Sequence, residues 1–433
     1  MSGPGVPRAA VLAVGSELLG LGRTDTNSPY IAAALQRAGL AVVFTTVVGD
    51  DAATLADALR RALAGAELVV CTGGLGPTDD DRTRDVTAAV LGLAMHEDAT
   101  VVEAMRARFA ARQLAMPDIN RRQALVPAGA AVIANSRGTA PGLWIPTASN
   151  AVLLLPGPPR EMTPMLDEAL MRFIAPRFGG AASRHRTVVV AGRSESWVDE
   201  RLAPIYRPWL DETPPIDTTV LASLGVIEVH VSALGHDVAA IDARLAAAVD
   251  ALAAPLGDDV ASTDGRLLEQ VVGDALVARG WRIGLAESCT GGLVAVRLTD
   301  VPGSSAYVDR GVVVYSNAAK TELLGVAPEF LAAHGAVSEP VAAAMAAGLR
   351  ARSGVEVAVA ITGIAGPGGG SADKPVGTVC IAVETPDGTE VRTFRFTGDR
   401  AMIRALAATT ALDRLRRALG DAATVSAATA ARS

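Results

Sequence analysis

An α/β chain of two or three domains is what this sequence predicts, on three observations. Its 433 residues are too many for one ordinary core. Short apolar runs alternate with helix-patterned segments, which implies parallel sheets with helices on both faces. Several of those runs end in loops of small residues, at 72–83, 156–162, 286–292 and 362–370. Open α/β sheets bind ligands outside the carboxyl ends of their strands.

Composition narrows the classes. Half the residues are apolar, but aromatics are only 3%, so the cores must be built from Ala, Val and Leu. The net charge is −7 with no long basic run, which argues against a direct nucleic-acid partner. Cys71, Cys289 and Cys380 are odd in number and far apart. That usage fits a reducing cytoplasm rather than a disulfide framework. Met1 to Arg8 is Gly/Pro-rich without a signal-peptide core, and no apolar run reaches membrane-spanning length. Five histidines with no close-spaced His/Cys cluster offer no zinc site.

In the first domain, 9–14 reads as a buried strand, 15–20 as a turn and 28–38 as a helix with capping residues at 24–27 and a stop at Gly39. A strand at 40–48, a helix at 52–64 and a strand at 68–71 follow. The third strand runs into Thr72–Gly73–Gly74–Leu75–Gly76–Pro77–Thr78–Asp79–Asp80–Asp81. Gly73, Gly74, Gly76 and Thr78 suit the close approach of backbone amides to a phosphate, and so form a candidate nucleotide site. Asp79, Asp80 and Asp81 are candidate ligands for a divalent cation bridging phosphate oxygens. The competing reading is that they cap the helix starting near Arg84. A further strand at 151–155 ends in Pro156–Gly157–Pro158–Pro159–Arg160–Glu161–Met162, and 135–142 is another small-residue loop.

The middle segment reads as strand 187–191, helix 194–202 capped by Ser194, strands 218–223 and 226–231 joined by Leu224–Gly225, and helix 238–252. This is a small α+β unit with no GXXG loop flanked by basic residues, so a spacer or dimerisation role fits better than single-strand binding. Residues 257–265 are short and hydrophilic and read as a linker.

The last domain begins with a helix at 267–279 and a strand from Trp281 that delivers Ala286–Glu287–Ser288–Cys289–Thr290–Gly291–Gly292. A helix follows from Leu293. A strand-to-helix corner presents a small hydroxyl beside free backbone N–H groups, which suits a nucleophile and its oxyanion. The alternative is a turn in which Ser288 caps a helix. A tight turn at 302–305 and a strand at 311–315 lead to Tyr315–Ser316–Asn317–Ala318–Ala319–Lys320, with Asn317 as a helix cap and Lys320 on the first turn. The helix dipole disfavours a charge there. A lysine serving as base must have its pKa far below the ~10.4 of a free amine, as burial beside another cation would achieve. A plain surface lysine is the competing reading. A strand at 355–361 ends in Thr362–Gly363–Ile364–Ala365–Gly366, with further glycines at 368–370, a backbone cradle for an anion. Strands at 377–383 and 389–396, a helix at 401–419 and a small polar tail at 422–433 complete the chain.

These motifs resemble the CinA (competence/damage-inducible protein A) family. Gly15–Ser16–Glu17, the 72–83 loop, the 135–142 loop and 156–162 resemble its N-terminal, molybdopterin-binding-like three-layer domain, here 1–177. The middle unit, 178–258, resembles a KH-like module. Residues 262–421, with 286–292, 315–320 and 362–366, resemble the C-terminal CinA domain, which is similar to nicotinamide-nucleotide amidases (NMN deamidases). The resemblance implies hydrolysis of the carboxamide of nicotinamide mononucleotide to nicotinic acid mononucleotide and ammonia, within pyridine-nucleotide recycling. It implies Ser288 as nucleophile, Lys320 as base and Tyr315 as its proton-transfer or orienting partner. Cys289, Thr290, Gly291, Ser305, Thr362, Gly363 and Arg400 would contact substrate. No cofactor is implied for the amidase. For the N-terminal domain it implies a metal-dependent ADP-ribose pyrophosphatase. Ser16 stands where some members carry Asp, so simple binding of a nucleotide or pterin remains open, as does a non-enzymatic competence role. Small-molecule nucleotides are the expected partners, and the spacer between two catalytic folds points to a cytoplasmic homodimer.

Overall fold

The computed structural model describes residues 6–20 and 22–420. The tail read at 422–433 and the first five residues lie outside the described residues. The described residues gather into two compact units, from 6 to 184 with 233–243, and 185–232 with 244–420. No helix among them is long and apolar enough to cross a membrane.

The first unit is built on a six-stranded sheet. Its strands are β1 (Arg8–Val14), β2 (Ala41–Val48), β3 (Leu68–Thr72), β6 (Ala131–Ile133), β7 (Gly142–Pro146) and β8 (Ala151–Leu155), in the order β2-β1-β3-β8-β7-β6. A separate ribbon pairs β4 (Met95–Glu97) with β5 (Leu125–Pro127). Strands β2, β1, β3 and β8 run parallel, and β7 and β6 are antiparallel. The period-2 alternation of a strand splits β1 between two cores. Ala10, Leu12 and Val14 meet Leu55 and Leu59 of helix 52–65 on one face, and Ala9 and Val11 meet Ile31 and Leu35 of helix 27–37 on the other. Asp25 starts helix 27–37 by accepting from the N–H groups of Asn27 and Ser28.

A four-stranded sheet has β9 (Ala182–Ala191), β10 (Asp217–Ser223), β11 (Val226–Gly235) and β12 (Val260–Ser262) in the order β10-β11-β9-β12. Leu224 and Gly225 both have positive φ, the two-residue hairpin turn that matches strand twist. The expected linker at 257–265 is corrected here. Val260–Ser262 pairs antiparallel with β9, and buried Asp259 bonds both Arg193 and Arg417. Asp259 is neutralised by distant arginines, which no local pattern reveals. Within the middle segment, 185–232 and 244–258 fall in the same compact unit as the C-terminal domain, and 178–184 and 233–243 fall in the first.

The remaining sheet has the order β14-β13-β15-β16-β17, with β13 (Ile283–Glu287), β14 (Val308–Val313), β15 (Val357–Gly363), β16 (Thr378–Thr385) and β17 (Gly388–Arg395). β13 lies parallel to both neighbours. Leu285, Val359 and Ile361 pack on helices 268–279, 293–299 and 400–419, while Ala286, Ala358 and Ala360 pack on helices 317–324 and 339–353. The chain leaves β13 over one face and β14 over the other, the topological switch at which open α/β sheets place a ligand crevice. The strand expected at 311–315 ends at Val313, so Tyr315 lies on the connecting loop. Ser316, not Asn317, caps the helix that follows, its hydroxyl accepting from the Ala319 N–H.

Candidate active site

Ser288 stands immediately beyond β13, with its N–H donating to the Ile361 carbonyl of β15. The amine of Lys320 arrives from the first turn of helix 317–324, and its Nζ lies 3.3 Å from Ser288 Oγ and 2.9 Å from the Val314 carbonyl. The lysine is 1% exposed, so the surface-lysine reading fails. Burial pushes its pKa down, opposed by the neighbouring Cys289. Desolvation alone does this, without the second cation that the sequence suggested. Among its 39 Lys and Arg residues the chain has only two lysines, Lys320 and Lys374. Arginine cannot give up its proton. In a chain that otherwise prefers arginine, that scarcity was a sequence signal for a lysine whose neutral form matters.

Cys289 is the competing nucleophile. Burial raises its pKa to about 12, so it stays a thiol. A Cβ on Gly363 would stand 2.9 Å from its sulfur and 2.7 Å from Val379, so Gly363 lets β15 close on Cys289.

The sequence pattern assigns no role to Glu287. It is 1% exposed, and its carboxylate accepts from the N–H groups of Gly292 (3.0 Å), Val294 (3.2 Å) and Ala295 (2.9 Å). The free amides expected at this helix start are therefore taken by the protein's own anion. Among the described residues, the N–H groups of Cys289 and Thr290 donate to no carbonyl and face the Cys289 sulfur, beside Ser288. Gly291 and Gly292 turn the corner with positive φ, and Arg404, also unforeseen, ties it to the last helix through the Thr290 carbonyl. The Thr290 hydroxyl is buried without a partner.

The other predicted residues divide. Thr362 lies beside the crevice at the end of β15, its hydroxyl donating to the Ala336 carbonyl. Arg400 bonds the Gly366 carbonyl and the Tyr315 hydroxyl, both at 2.8 Å, so it joins the glycine-rich loop to Tyr315. Tyr315 is 59% exposed and makes no hydrogen bond to Lys320, contrary to the orienting role expected. Ser305 is a correction. It precedes β14, whose Val308 pairs with Ile283 at the amino end of β13, across the sheet from Ser288.

In the first unit a cavity of about 820 Å³ opens at the carboxyl ends of the parallel strands, lined by Gly73, Gly74, Gly76, Asp80 and Asp81. Gly73 and Gly74 have positive φ, and a Cβ on either would meet Val14 O or Thr83 Oγ1 within 2.2 Å. The proposed metal triad does not converge. Asp79 pairs with Arg122 at 2.7 Å, Asp80 is exposed, and Asp81 accepts from the N–H and hydroxyl of Thr78. Among the described residues no group of three or more His, Cys, Asp or Glu is placed to hold a metal ion. Asp79 turns away to Arg122 while Asp80 and Asp81 line the cavity, so sequence adjacency misled. The aspartates do not cap the helix either, which starts at Thr83 without a side-chain cap. Ser16 and Asp50 bond reciprocally, each backbone N–H to the other's side chain.

The fold and the two loop sites define a two-part α/β protein. Residues 10–176 match the family described as "Probable molybdopterin binding domain", and residues 266–419 match the "CinA C-terminal domain". A CinA-like protein of Acidobacterium capsulatum is 45% identical over 415 residues, covering 95% of this chain and 99% of its own length. A CinA-like protein of Koribacter versatilis is 45% identical over 419 residues, covering 95% and 99%. The chain belongs to the CinA family. Among solved structures, the competence/damage inducible protein CihA from Agrobacterium tumefaciens is 47% identical, covering 35% of this chain and 93% of its own, with a TM-score of 0.34.

Proposed function

We propose that the C-terminal part is an amidohydrolase acting on the carboxamide of nicotinamide mononucleotide. The observation that carries this is the buried Lys320 amine 3.3 Å from Ser288 Oγ. Ser288 Oγ attacks the carboxamide carbon while its proton passes to Lys320 Nζ. The tetrahedral oxyanion faces the amides of Cys289 and Thr290. Lys320 returns the proton to the nitrogen, and ammonia leaves with cleavage of the C–N bond. Water then adds to the Ser288 ester with Lys320 again as base, releasing nicotinic acid mononucleotide and the serine. The geometry supports the serine over Cys289, whose thiol stays protonated. Thr362 and the glycine loop that Arg400 holds would face the nucleotide.

Ammonia release from nicotinamide mononucleotide tests the reading. Ser288→Ala should retain less than about 1% of the rate, and Cys289→Ala should stay within about fivefold. Full activity in Ser288→Ala with loss in Cys289→Ala reverses the assignment. A folded wild-type chain that releases no ammonia points instead to a non-enzymatic competence role.

For the first unit we infer binding of a phosphorylated nucleotide or pterin in the 820 Å³ cavity. Two features favour binding over metal-dependent ADP-ribose hydrolysis: the diverging aspartates, and a Ser16 hydroxyl engaged with the Asp50 backbone. ADP-ribose cleavage assayed with and without added Mg²⁺ separates the two.

A further inference from the structure

We propose that Lys374 is a positioning residue of the amidase. It fastens the glycine-rich loop 364–377 to the turn 334–337, holds that loop ready for the nucleotide, and so sets substrate binding rather than the chemistry. The proposal rests on the reading of the Ser288 site as an amidase.

Lys374 is one of only two lysines in the chain and is half-buried. It lies on the loop that joins β15 to β16. Its Nζ crosses to the turn after helix 328–334, donating to the Val337 carbonyl at 2.7 Å and the His334 carbonyl at 3.3 Å. Its own backbone is fixed by a local bend. The Lys374 N–H donates to Ser371 Oγ at 3.1 Å, and the Ser371 N–H to the Lys374 carbonyl at 2.9 Å. A compact amine with several N–H groups can serve two carbonyls of one turn, and the carbonyl end of a helix favours a basic group.

The turn it grips belongs to the site. Thr362, next to last in β15, donates its hydroxyl to the Ala336 carbonyl at 2.7 Å, and the Ser338 hydroxyl donates to the Gly335 carbonyl at 3.0 Å. Every carbonyl from His334 to Val337 is thus engaged. Leu331, on the helix before the turn, shares a core with Leu324 of the helix that carries Lys320. Towards the other end of the loop, Arg400 holds the Gly366 carbonyl at 2.8 Å. Between these two anchors the loop carries Gly368, Gly369 and Gly370. A glycine-rich segment loses much conformational freedom when it is ordered. Fixing the loop at both anchors before substrate arrives removes part of that cost from binding. The two lysines therefore divide the work: Lys320 meets the Ser288 hydroxyl, and Lys374 meets only backbone carbonyls.

The test is steady-state ammonia release from nicotinamide mononucleotide by the full chain, with hydrogen exchange of residues 365–376 measured on the same proteins. Lys374→Met should raise KM about five- to twentyfold, with kcat within about twofold and the pH midpoint unmoved. A variant that is merely part-misfolded loses kcat and keeps KM. Lys374→Arg can still donate to both carbonyls and should bring KM back to within about threefold of wild type. Exchange across 365–376 should quicken in Lys374→Met and slow again in Lys374→Arg. Combined with Arg400→Ala, Lys374→Met should raise KM by less than the product of the two single effects, because both residues hold one loop. An unchanged KM in Lys374→Met, or a fall in kcat alone, overturns the proposal. A raised KM with unaltered exchange also overturns it, and points to direct contact with substrate. Failure of folded wild-type protein to release ammonia overturns the amidase reading itself, and the exchange measurement then still decides whether Lys374 holds the loop.

Discussion

At 73–83 in the first unit, Asp81 takes the N–H and hydroxyl of Thr78, and at 287–293 in the second, Glu287 takes three amides at the start of a helix. Both loops follow an inner strand that is parallel to both of its neighbours, and both use glycines with positive φ to turn. What each leaves unengaged differs. The second corner keeps a serine, a buried amine and two amides within a few residues of one another. The first keeps a wide cavity lined by both carboxylates and arginines, and a buried amide oxygen. A strand-to-helix loop closed by its own carboxylate is therefore a scaffold. Its chemistry is set by side chains that arrive from other elements.

The largest effect should come from breaking the amine. Lys320→Met keeps the length and removes the base, and should lower ammonia release roughly a hundred- to ten-thousandfold. Lys320→Arg should fail equally, because a guanidinium keeps its charge in a pocket that disfavours charge. In wild-type protein kcat/KM should rise with pH as Lys320 deprotonates, with its midpoint below that of a free lysine, since burial lowers the pKa. The linkage has the matching sign. Between the lowered folded value and the ordinary unfolded one, the unfolded chain binds one more proton, so stability rises with pH across that window. Lys320→Met should flatten both profiles, which denaturant titrations and initial rates at several pH values will read.

The next effect sharpens the comparison between the two carboxylates. Glu287→Gln turns one acceptor into a donor facing amides. It should cost about 1–3 kcal/mol of stability in urea unfolding and lower kcat roughly ten- to a hundredfold, with KM little changed. Asp81→Asn touches a shallower loop and should cost under about 1 kcal/mol, with ammonia release unaltered. Equal kinetic effects from the two would break the distinction.

How far the sequence carried differs between these regions for the same reason. Period-2 and helical patterns located the strands through Cys71 and Leu285 and most helices, because those depend on local alternation. The Ser288 corner was legible because its nucleophile, turn glycines and helix start lie within seven residues. What was missed depends on approach from afar. Glu287 looked like a polar residue ending a strand until three amides closed on it. Arg404 reaches Thr290 across 114 positions, and Asp259 is neutralised by Arg417 158 positions away. Ser305 failed because the parallel register of β14 carries it to the far edge of the sheet, and Asp79 to Asp81 failed because Asp79 turns away to Arg122.

The smallest expected effect concerns the rim of the crevice. Tyr315 is mostly exposed and its hydroxyl meets Arg400, whose other nitrogen holds the Gly366 carbonyl. The tyrosine hydroxyl is tied to the glycine loop through Arg400 and makes no hydrogen bond to Lys320. Tyr315→Phe removes one hydrogen bond at the surface, where such a bond contributes about 1 kcal/mol. KM should rise about two- to fivefold, while kcat and the pH midpoint stay where Lys320 sets them. Arg400→Ala releases both the loop and the hydroxyl and should raise KM further in the same direction. A shift of the pH midpoint in Tyr315→Phe would mean that its hydroxyl reaches the amine during turnover. The rim and the buried pair would then be one proton-handling unit rather than two separable parts.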